Sequence, residues 1–349
     1  MTAPWDYPDF DDHEGLHLFR DRESGLTAII AIHSTALGPA AGGTRFWHYP
    51  APEAAITDVL RLSRGMSFKN AMADLPLGGG KAVILADAAR TKTPAMIAAF
   101  GRAVESLGGR YVTAEDVGIS TADMAEVAKQ TKYVSGLPVA AGNAGGDPGP
   151  LTALGVFLGV KAAVRRVLGR DTLADVRIAI QGVGSVGGGL ARLAAAEGAR
   201  LVLADVDQAR AAALAEQLGG RAVAPADILA VEADVVSPCA LGAVLDERSI
   251  ARLDAPIVAG AANNQLATPE DGVRLHARGV LYAPDYVINA GGIINVGLEY
   301  LGKGDRAEVE ALISRIPDRL ERVWDESAAT GDSADAVADR MALALIGRG

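Results

Sequence analysis

Two lysines stand twelve residues apart around a turn-forming stretch: Lys69, in Gly65-Met-Ser-Phe-Lys69-Asn, and Lys81, directly after Gly78-Gly79-Gly80. Pro76 and the three glycines let the chain fold back between them, so that both ammonium groups can face one pocket. A like charge close by, together with desolvation, lowers the pKa of one of two such amines. The pair then offers a fixed cation for an anionic substrate group and a neutral amine for taking up a proton. Asp116 follows an apolar run, Tyr111–Ala114, and adds a carboxylate for a proton relay. Taken singly, each lysine reads as a solvated surface charge. Lys81 is different, because it is locked behind three glycines and leads an apolar run, Lys81–Leu85.

A second constellation is Gly182-Val183-Gly184-Ser185-Val186-Gly187, with Gly188 next. A lone G-x-G-x-x-G says little. Here it follows a predicted strand, Val176–Ile180, opens a predicted helix, Ser185–Glu197, and precedes a strand, Leu201–Ala204, that ends at Asp205. Asp205 lies 18 residues past Gly187. That context is a dinucleotide-binding fingerprint. Gly182 permits the tight turn, Gly184 lets the backbone approach a pyrophosphate, and Gly187 lets helix and strand pack closely. The helix N-terminus supplies free N–H groups for the phosphates. Asp205 can accept hydrogen bonds from a ribose diol and would repel a 2′-phosphate, so NAD is expected over NADP. Gly78-Gly79-Gly80-Lys81 is no P-loop, because Leu75 and Ala82 occupy the positions where that motif needs Gly and Ser or Thr.

The background composition removes other classes. The 349 residues are 50% hydrophobic and 22% charged, enough apolar content for two domains and against disorder. A net charge of −10 argues against a nucleic-acid partner. The single cysteine, Cys239, excludes an intrachain disulfide, and the five histidines show no metal-binding pair of the H-E-x-x-H kind, so no metal site is expected. The acidic, aromatic N-terminus is unlike a signal or transit peptide, and no apolar run of about 18 residues is present. A soluble cytoplasmic protein without a membrane partner is the expectation.

The elements that must carry these residues alternate. A hairpin signal, Glu23-Ser24-Gly25, separates the apolar runs Leu16–Asp21 and Leu26–Ile32. Helices are predicted over Pro52–Arg64 and from Thr93-Pro94 to about Leu107, with Ser120 or Thr121 capping another. Gly142–Pro150 reads as an interdomain hinge, and Thr152–Leu168 as a long helix. Further strands are predicted at Asp234–Val236, Ile257–Ala259 and Val280–Tyr282, with helices over Arg306–Ser327 and Ser333–Ile346. This β-α-β rhythm implies an α/β protein with a doubly wound parallel sheet. Two domains are expected: an N-terminal mixed α/β substrate and oligomerisation domain, 1–142 plus a C-terminal helix from about 328 to 349, and a Rossmann NAD-binding domain, 143–327, with a cleft between them.

Several long motifs reach beyond these local readings: Leu37-Gly-Pro-Ala-Ala-Gly-Gly-Thr-Arg45, Leu75-Pro-Leu-Gly-Gly-Gly-Lys-Ala-Val-Ile84, Arg110-Tyr-Val-Thr-Ala-Glu-Asp-Val-Gly118, Gly260-Ala-Ala-Asn-Asn-Gln-Leu266 and Tyr282-Ala-Pro-Asp-Tyr-Val-Ile-Asn-Ala-Gly-Gly-Ile-Ile-Asn-Val296. With them the chain resembles, over nearly its whole length, the leucine/phenylalanine/valine branch of the amino-acid dehydrogenase superfamily, which also holds glutamate dehydrogenases. Its motifs are most similar to those of leucine dehydrogenases. The resemblance implies reversible oxidative deamination of an L-amino acid to the 2-oxo acid and ammonia, with NAD, by a homo-oligomer. It implies that Lys69 binds the substrate carboxylate, Lys81 is the base that activates water, and Asp116 relays protons. Gly42 and Gly43 would face the substrate. Asn263 and Asn264 would lie near the nicotinamide ribose and substrate carboxylate, and Thr152 near the carboxamide. Cys239 falls in a segment near the cofactor, but its residue type is better read as a small buried apolar residue. Ala41, Ala114, Ile293 and Val296 would line the side-chain pocket. All four are apolar, which disfavours glutamate. Leucine, valine or isoleucine is the expected substrate; an aromatic amino acid such as phenylalanine is the alternative, because Ala41 deepens the pocket. A catalytically silent NAD-binding sensor or scaffold is the alternative of another class.

Overall fold

The computed structural model describes residues 3–87, 91–137, 144–303 and 305–349. The beginning of the expected Gly142–Pro150 hinge lies outside them. By its internal contacts the chain forms two units, Met1–Asp147 with Ile293–Val309 and Ala342–Gly349, and Pro148–Gly292 with Glu310–Met341. The first unit therefore regains the chain twice. The expected return near 328 occurs only at Ala342, and the segment from Ile293 was not foreseen as part of this unit.

The Glu23-Ser24-Gly25 signal does close a hairpin in the first unit. Strand β1 (Gly15–Asp21) pairs antiparallel with β2 (Leu26–Ser34), from Gly15 opposite Ile32 to Asp21 opposite Leu26. Then come β3 (Ala40–His48), α1 (Pro52–Met72), β4 (Gly78–Ala86), α2 (Pro94–Glu105), β5 (Tyr111–Glu115) and α3 (Thr121–Val127). The sheet order is β1-β2-β4-β3-β5, which puts β4 at its centre. Alternation sorts the side chains between faces. Ala28, Ile30, Ile32, Ala82 and Ile84 pack with Met96, Ile97, Phe100 and Val104 of α2. Ile29, Ala31 and Val83 pack with Ala55 and Val59 of α1. The caps fall where the residue types put them: the Thr93 hydroxyl accepts from the Met96 N–H at 3.2 Å, and the Ser120 hydroxyl from the Asp123 N–H at 3.3 Å.

Two elements depart from the sequence reading. The helix predicted to Arg64 continues to Met72, and the strand predicted from Lys81 begins at Gly78. The three glycines are thus strand rather than turn. A Cβ on Gly79 would fall on the Ser67 backbone N–H of α1, one on Gly78 on the Ser34 carbonyl, and one on Gly80 within 2.7 Å of the Tyr111 ring. Glycine is used here for close approach, of backbone to backbone at Gly78 and Gly79 and of an aromatic ring to backbone at Gly80. Strand β3 went unread because Ala40-Ala-Gly-Gly lacks both branched residues and alternation.

Arg348 ties the C-terminal segment to the rest of the first unit. Arg348 donates to the carbonyls of Asp11, Asp12 and His33 at 2.8–2.9 Å. His33 is fully buried, with its Nδ1 2.7 Å from the Ser67 hydroxyl. Burial, with the neighbouring His13 and Arg348, pushes its pKa down to about 4.

The second unit runs α4 (Gly149–Leu168), β6 (Arg177–Gln181), α5 (Ser185–Ala196), β7 (Arg200–Ala204), α6 (Gln208–Leu218), β8 (Arg221–Ala222), β9 (Val235–Pro238), α7 (Glu247–Arg252), β10 (Ile257–Val258), α8 (Pro269–Ala277), β11 (Leu281–Tyr282) and α9 (Asp285–Ile288). Its six-stranded sheet, ordered β11-β10-β9-β6-β7-β8, is parallel throughout. Helix α10 (Gly291–Tyr300) carries the chain back into the first unit. The segment Arg306–Ser327, read as one helix, is two: α11 (Arg306–Ile313) and α12 (Ile316–Thr330). Pro317 lies in the first turn of α12, where its missing N–H costs nothing, but it cannot continue a helix from before. Gly331, at φ +78°, ends α12, and α13 (Ala334–Leu345) follows. Among the described residues no helix is long and apolar enough to cross a membrane.

The close seat of α1 on β4 is testable. Gly79→Ala must push α1 off the sheet, and overpacking of this kind costs about 1–3 kcal/mol. Urea unfolding is expected to show a lowered midpoint at unchanged slope; an unaltered midpoint would mean that α1 does not rest on Gly79.

Candidate active site

Lys81 stands in β4 among buried neighbours and is itself only 6% exposed. Its ammonium donates to Asp116 Oδ2 at 2.7 Å. Asp116 follows directly on β5, and β3 runs between β4 and β5, so this contact spans β3. The crossing works because Gly43 has no side chain: a Cβ there would come within 3.0 Å of Asp116 Cβ and collide with the Glu115 carbonyl. Gly42, opposite Thr113 of β5, accepts the Tyr111 hydroxyl at 2.6 Å through its carbonyl. A Cβ on Gly42 would meet the Gly80 carbonyl. The glycine pair is thus a structural requirement, whatever it faces.

Asp116 is held by a second cation that the sequence reading did not assign. Arg45 donates from Nε to Asp116 Oδ2 at 3.3 Å and from Nη1 to Asp58 at 2.9 Å. Asp58 also accepts the Tyr49 hydroxyl at 2.5 Å. Burial pushes the Asp116 carboxyl up, but Lys81 and Arg45 together hold it below its ordinary value. The signal was available: Arg45 lies two residues past Gly43 on the same strand, and alternation returns it to the same face.

Lys69 lies in the last turn of α1, half-buried, next to Asn70. Asn70 is fully buried and donates to the Gly78 carbonyl at 2.6 Å and to the Ala41 carbonyl at 3.4 Å. That amide fixes the end of α1 against β3 and β4, and so fixes the stem of Lys69. Ala41 pairs with Gly79 on one side and Val112 on the other, and Ala114 pairs with Gly43. Ile293 and Val296 reach the first unit on α10. Ser135 donates to the Val296 carbonyl at 2.8 Å, and Glu299 accepts the N–H groups of Gly136 and Leu137 at 3.0 and 2.9 Å. The first unit therefore carries Lys69, Lys81, Asp116, Gly42, Gly43, Ala41, Ala114, Ile293 and Val296, and the second carries the remaining candidates.

In the second unit the glycine loop has the expected conformation. Gly182 takes φ +90°, and Gly184 is the N-cap of α5, with open space where its Cβ would point. A Cβ on Gly187 would strike the Gly182 carbonyl and approach Cys239 Cβ at 3.0 Å. Gly182 follows β6 and Cys239 follows β9, so the loop sits where the strand order reverses, the usual crevice for a dinucleotide in such sheets. The open face at Gly184, beside the N-terminal turn with Ser185 and Val186, fits a pyrophosphate. Asp205 is 6% exposed and accepts the Val183 N–H at 2.8 Å, which ties the loop to β7. Cys239 behaves as packing: burial pushes its thiol up, and its N–H donates to the Gln181 carbonyl at 2.7 Å. Thr152 donates to the Pro148 carbonyl at 2.9 Å. Gly188 follows in the first turns of α5. Asn264 takes φ +51°, and Asn263 Oδ1 accepts from the buried Asn289 amide at 2.9 Å.

Comparison with known proteins agrees with this architecture. A family model described as Glu/Leu/Phe/Val dehydrogenase, dimerisation domain, matches residues 15–133, and one described as Glutamate/Leucine/Phenylalanine/Valine dehydrogenase matches residues 203–345. The leucine dehydrogenase of Geobacillus stearothermophilus is 46% identical over 336 residues, covering 96% of this chain and 91% of the relative. The valine dehydrogenase of Streptomyces coelicolor is 46% identical over 340 residues, covering 96% and 93%. Among solved structures, the L-tryptophan dehydrogenase of Nostoc punctiforme superposes with a TM-score of 0.84 at 40% identity, covering 96% of each chain. The chain belongs to the Glu/Leu/Phe/Val dehydrogenase family, whose Rossmann-type architecture implies a nicotinamide cofactor.

The Lys81–Asp116 pair carries a stability consequence. Asp116→Asn leaves a buried ammonium with a neutral partner, which costs about 1–4 kcal/mol, between the values for exposed and buried pairs. A carboxyl with a lowered folded pKa stabilises above its ordinary value of 3.8 and loses that contribution as pH falls through the lowered value. Urea unfolding is expected to show the deficit of Asp116→Asn in full at pH 7 and shrinking in acid below pH 3.8. A deficit independent of pH would remove the ion pair as its cause.

Proposed function

We propose that the protein catalyses NAD-dependent reversible oxidative deamination of an apolar L-amino acid, with leucine, valine and isoleucine preferred. The observation that carries this reading is the buried Lys81–Asp116 pair, 2.7 Å long, spanning the glycine backbone of β3 in a chain that is 46% identical to leucine and valine dehydrogenases. When bound, NAD supplies the acceptor for the hydride from the substrate Cα. The rest of the chemistry falls to the chain. Lys69 pairs with the α-carboxylate by a charge-assisted contact. Lys81 must give up a proton before it can take one from substrate or water, and Asp116 Oδ2 is in contact to receive it. As the imine forms, water adds to its carbon under the Lys81 amine. The Lys81–Asp116 pair returns a proton to the carbinolamine nitrogen and takes one from its hydroxyl, so the C–N bond breaks with ammonia as leaving group and the 2-oxo acid remains. Asp205 supports NAD over NADP through its position at the end of β7.

Ala41, Ala114, Ile293 and Val296 provide apolar walls for the side chain. They offer no partner for a second carboxylate, which supports a branched-chain substrate over glutamate. The tryptophan dehydrogenase among the structural neighbours supports a second reading, in which the space at Ala41 admits an aromatic ring. A homo-oligomer, through the segment matched by the dimerisation-domain model, and a cytoplasmic location complete the proposal.

NADH formation from a panel of L-leucine, L-valine, L-isoleucine, L-phenylalanine, L-tryptophan and L-glutamate tests it. The branched-chain acids are expected to show the highest kcat/KM. Higher values for the aromatic acids would favour the second reading, and no turnover of any would return the chain to a non-catalytic binder. Within that assay, Lys69→Ala is expected to raise KM for the amino acid at least tenfold with a smaller change in kcat. An unchanged KM would place the carboxylate elsewhere.

A further inference from the structure

Asp205 has more partners than a ribose-binding carboxylate needs. Oδ2 accepts the Val183 N–H at 2.8 Å; Oδ1 accepts the Asp207 N–H at 3.0 Å and Arg210 Nη2 at 2.7 Å. A carboxylate has about four lone-pair sites, and three are taken. A ribose diol that donates both hydroxyls requires two. The Val183 and Asp207 donors are backbone groups built into the loop and the N-cap of α6. Arg210 is a flexible side chain, half exposed, and is the partner able to leave.

The guanidinium has somewhere to go. Arg210 and Arg192, with Val183, Gly184, Ser185 and Gln217, line a cavity of about 600 Å³ at the open face of the glycine loop, and among the described residues no acidic one lines it. Arg192 is anchored from α5 by a 3.1 Å bond to the Gly188 carbonyl. Two guanidinium groups beside a phosphate-binding loop, one of them held by the Asp205 carboxylate, suit a second phosphate dianion.

We propose that Arg210 is a cofactor-specificity residue: Asp205 holds it in check, and once Asp205 is neutral it becomes the cation for a 2′-phosphate, with Arg192 across the cavity. On this account Arg210 also competes with the ribose diol for Asp205, so it weakens the NAD preference from which the inference starts.

The test is direct binding. Dissociation constants of NADH and NADPH are measured by fluorescence titration for the unmodified chain, Asp205→Asn, Arg210→Gln and the double variant. Asparagine keeps an oxygen for the Val183 N–H and removes the charge. Asp205→Asn is expected to raise the affinity for NADPH relative to NADH tenfold or more, and adding Arg210→Gln is expected to erase most of that gain. The same gain with or without Arg210, or no gain while NADH still binds, overturns the proposal. Arg210→Gln alone reads the same point if Asp205→Asn does not fold. NADPH binding should weaken at least threefold, because an Asp205 stripped of its guanidinium repels the 2′-phosphate more strongly, with NADH binding no weaker because the diol gains a lone pair; equal changes for both overturn it. If the unmodified chain binds both cofactors alike, the NAD preference fails as a reading, while the dependence of NADPH binding on Arg210 still decides the inference.

Discussion

The contact that the first unit is built around is the one between Lys81 and Asp116. An ammonium in the middle of a sheet is tolerable only with a partner, because its desolvation would otherwise cost several kcal/mol. The partner cannot come from the adjacent strand β3, whose Gly42 and Gly43 have nothing to offer but backbone. It comes from the far side of β3, from the residue that follows β5, and that reach is what makes side chains at Gly43 impossible. Arg45 then steadies the carboxylate from β3 itself, and Asp58 and Tyr49 steady Arg45. A short polar chain thus continues from the buried lysine toward α1, and each member has a named partner.

The same economy of atoms governs both sheets. At Gly79 the missing Cβ admits the backbone of α1, and through Asn70 it sets the stem of Lys69. At Gly187 it admits the carbonyl of Gly182 and closes the turn that begins α5. At Gly184 no described atom lies within 4 Å of where a Cβ would stand, and that face of the loop stays open. One residue type therefore does two different jobs within a single loop, and only the surroundings tell them apart.

This explains what could be read from the chain and what could not. Lys81, Asp116, the glycine loop with Asp205, and the β-α rhythm follow from residue type, spacing and periodicity, and the structure has them in the elements expected. The Gly78-Gly79-Gly80 run was read as a turn because glycine most often marks one; its close contacts with Ser67, Ser34 and Tyr111 arise only when distant segments meet. Strand β3 was hidden by its small residues. The break between α11 and α12 rested on Pro317, which a helical pattern on both sides obscured. The partners of Asp205 could not be weighed, since Arg210 comes from the next helix. Substrate preference is the least legible property, because one or two methylenes in an apolar pocket change discrimination by only about 1–3 kcal/mol.

The central claim is that the Lys81 amine moves the proton in turnover. The most direct measurement is kcat of Lys81→Ala on L-leucine, without and with added methylamine, alongside NADH binding. A loss of at least about a thousandfold is expected, within the range for a lost general base. NADH affinity is expected to be nearly unchanged, and activity to be partly restored in proportion to the free-base amine. Turnover within tenfold of the unmodified enzyme, or a full loss that no concentration of small amine relieves, would contradict it and leave Lys81 as a structural ion-pair partner of Asp116.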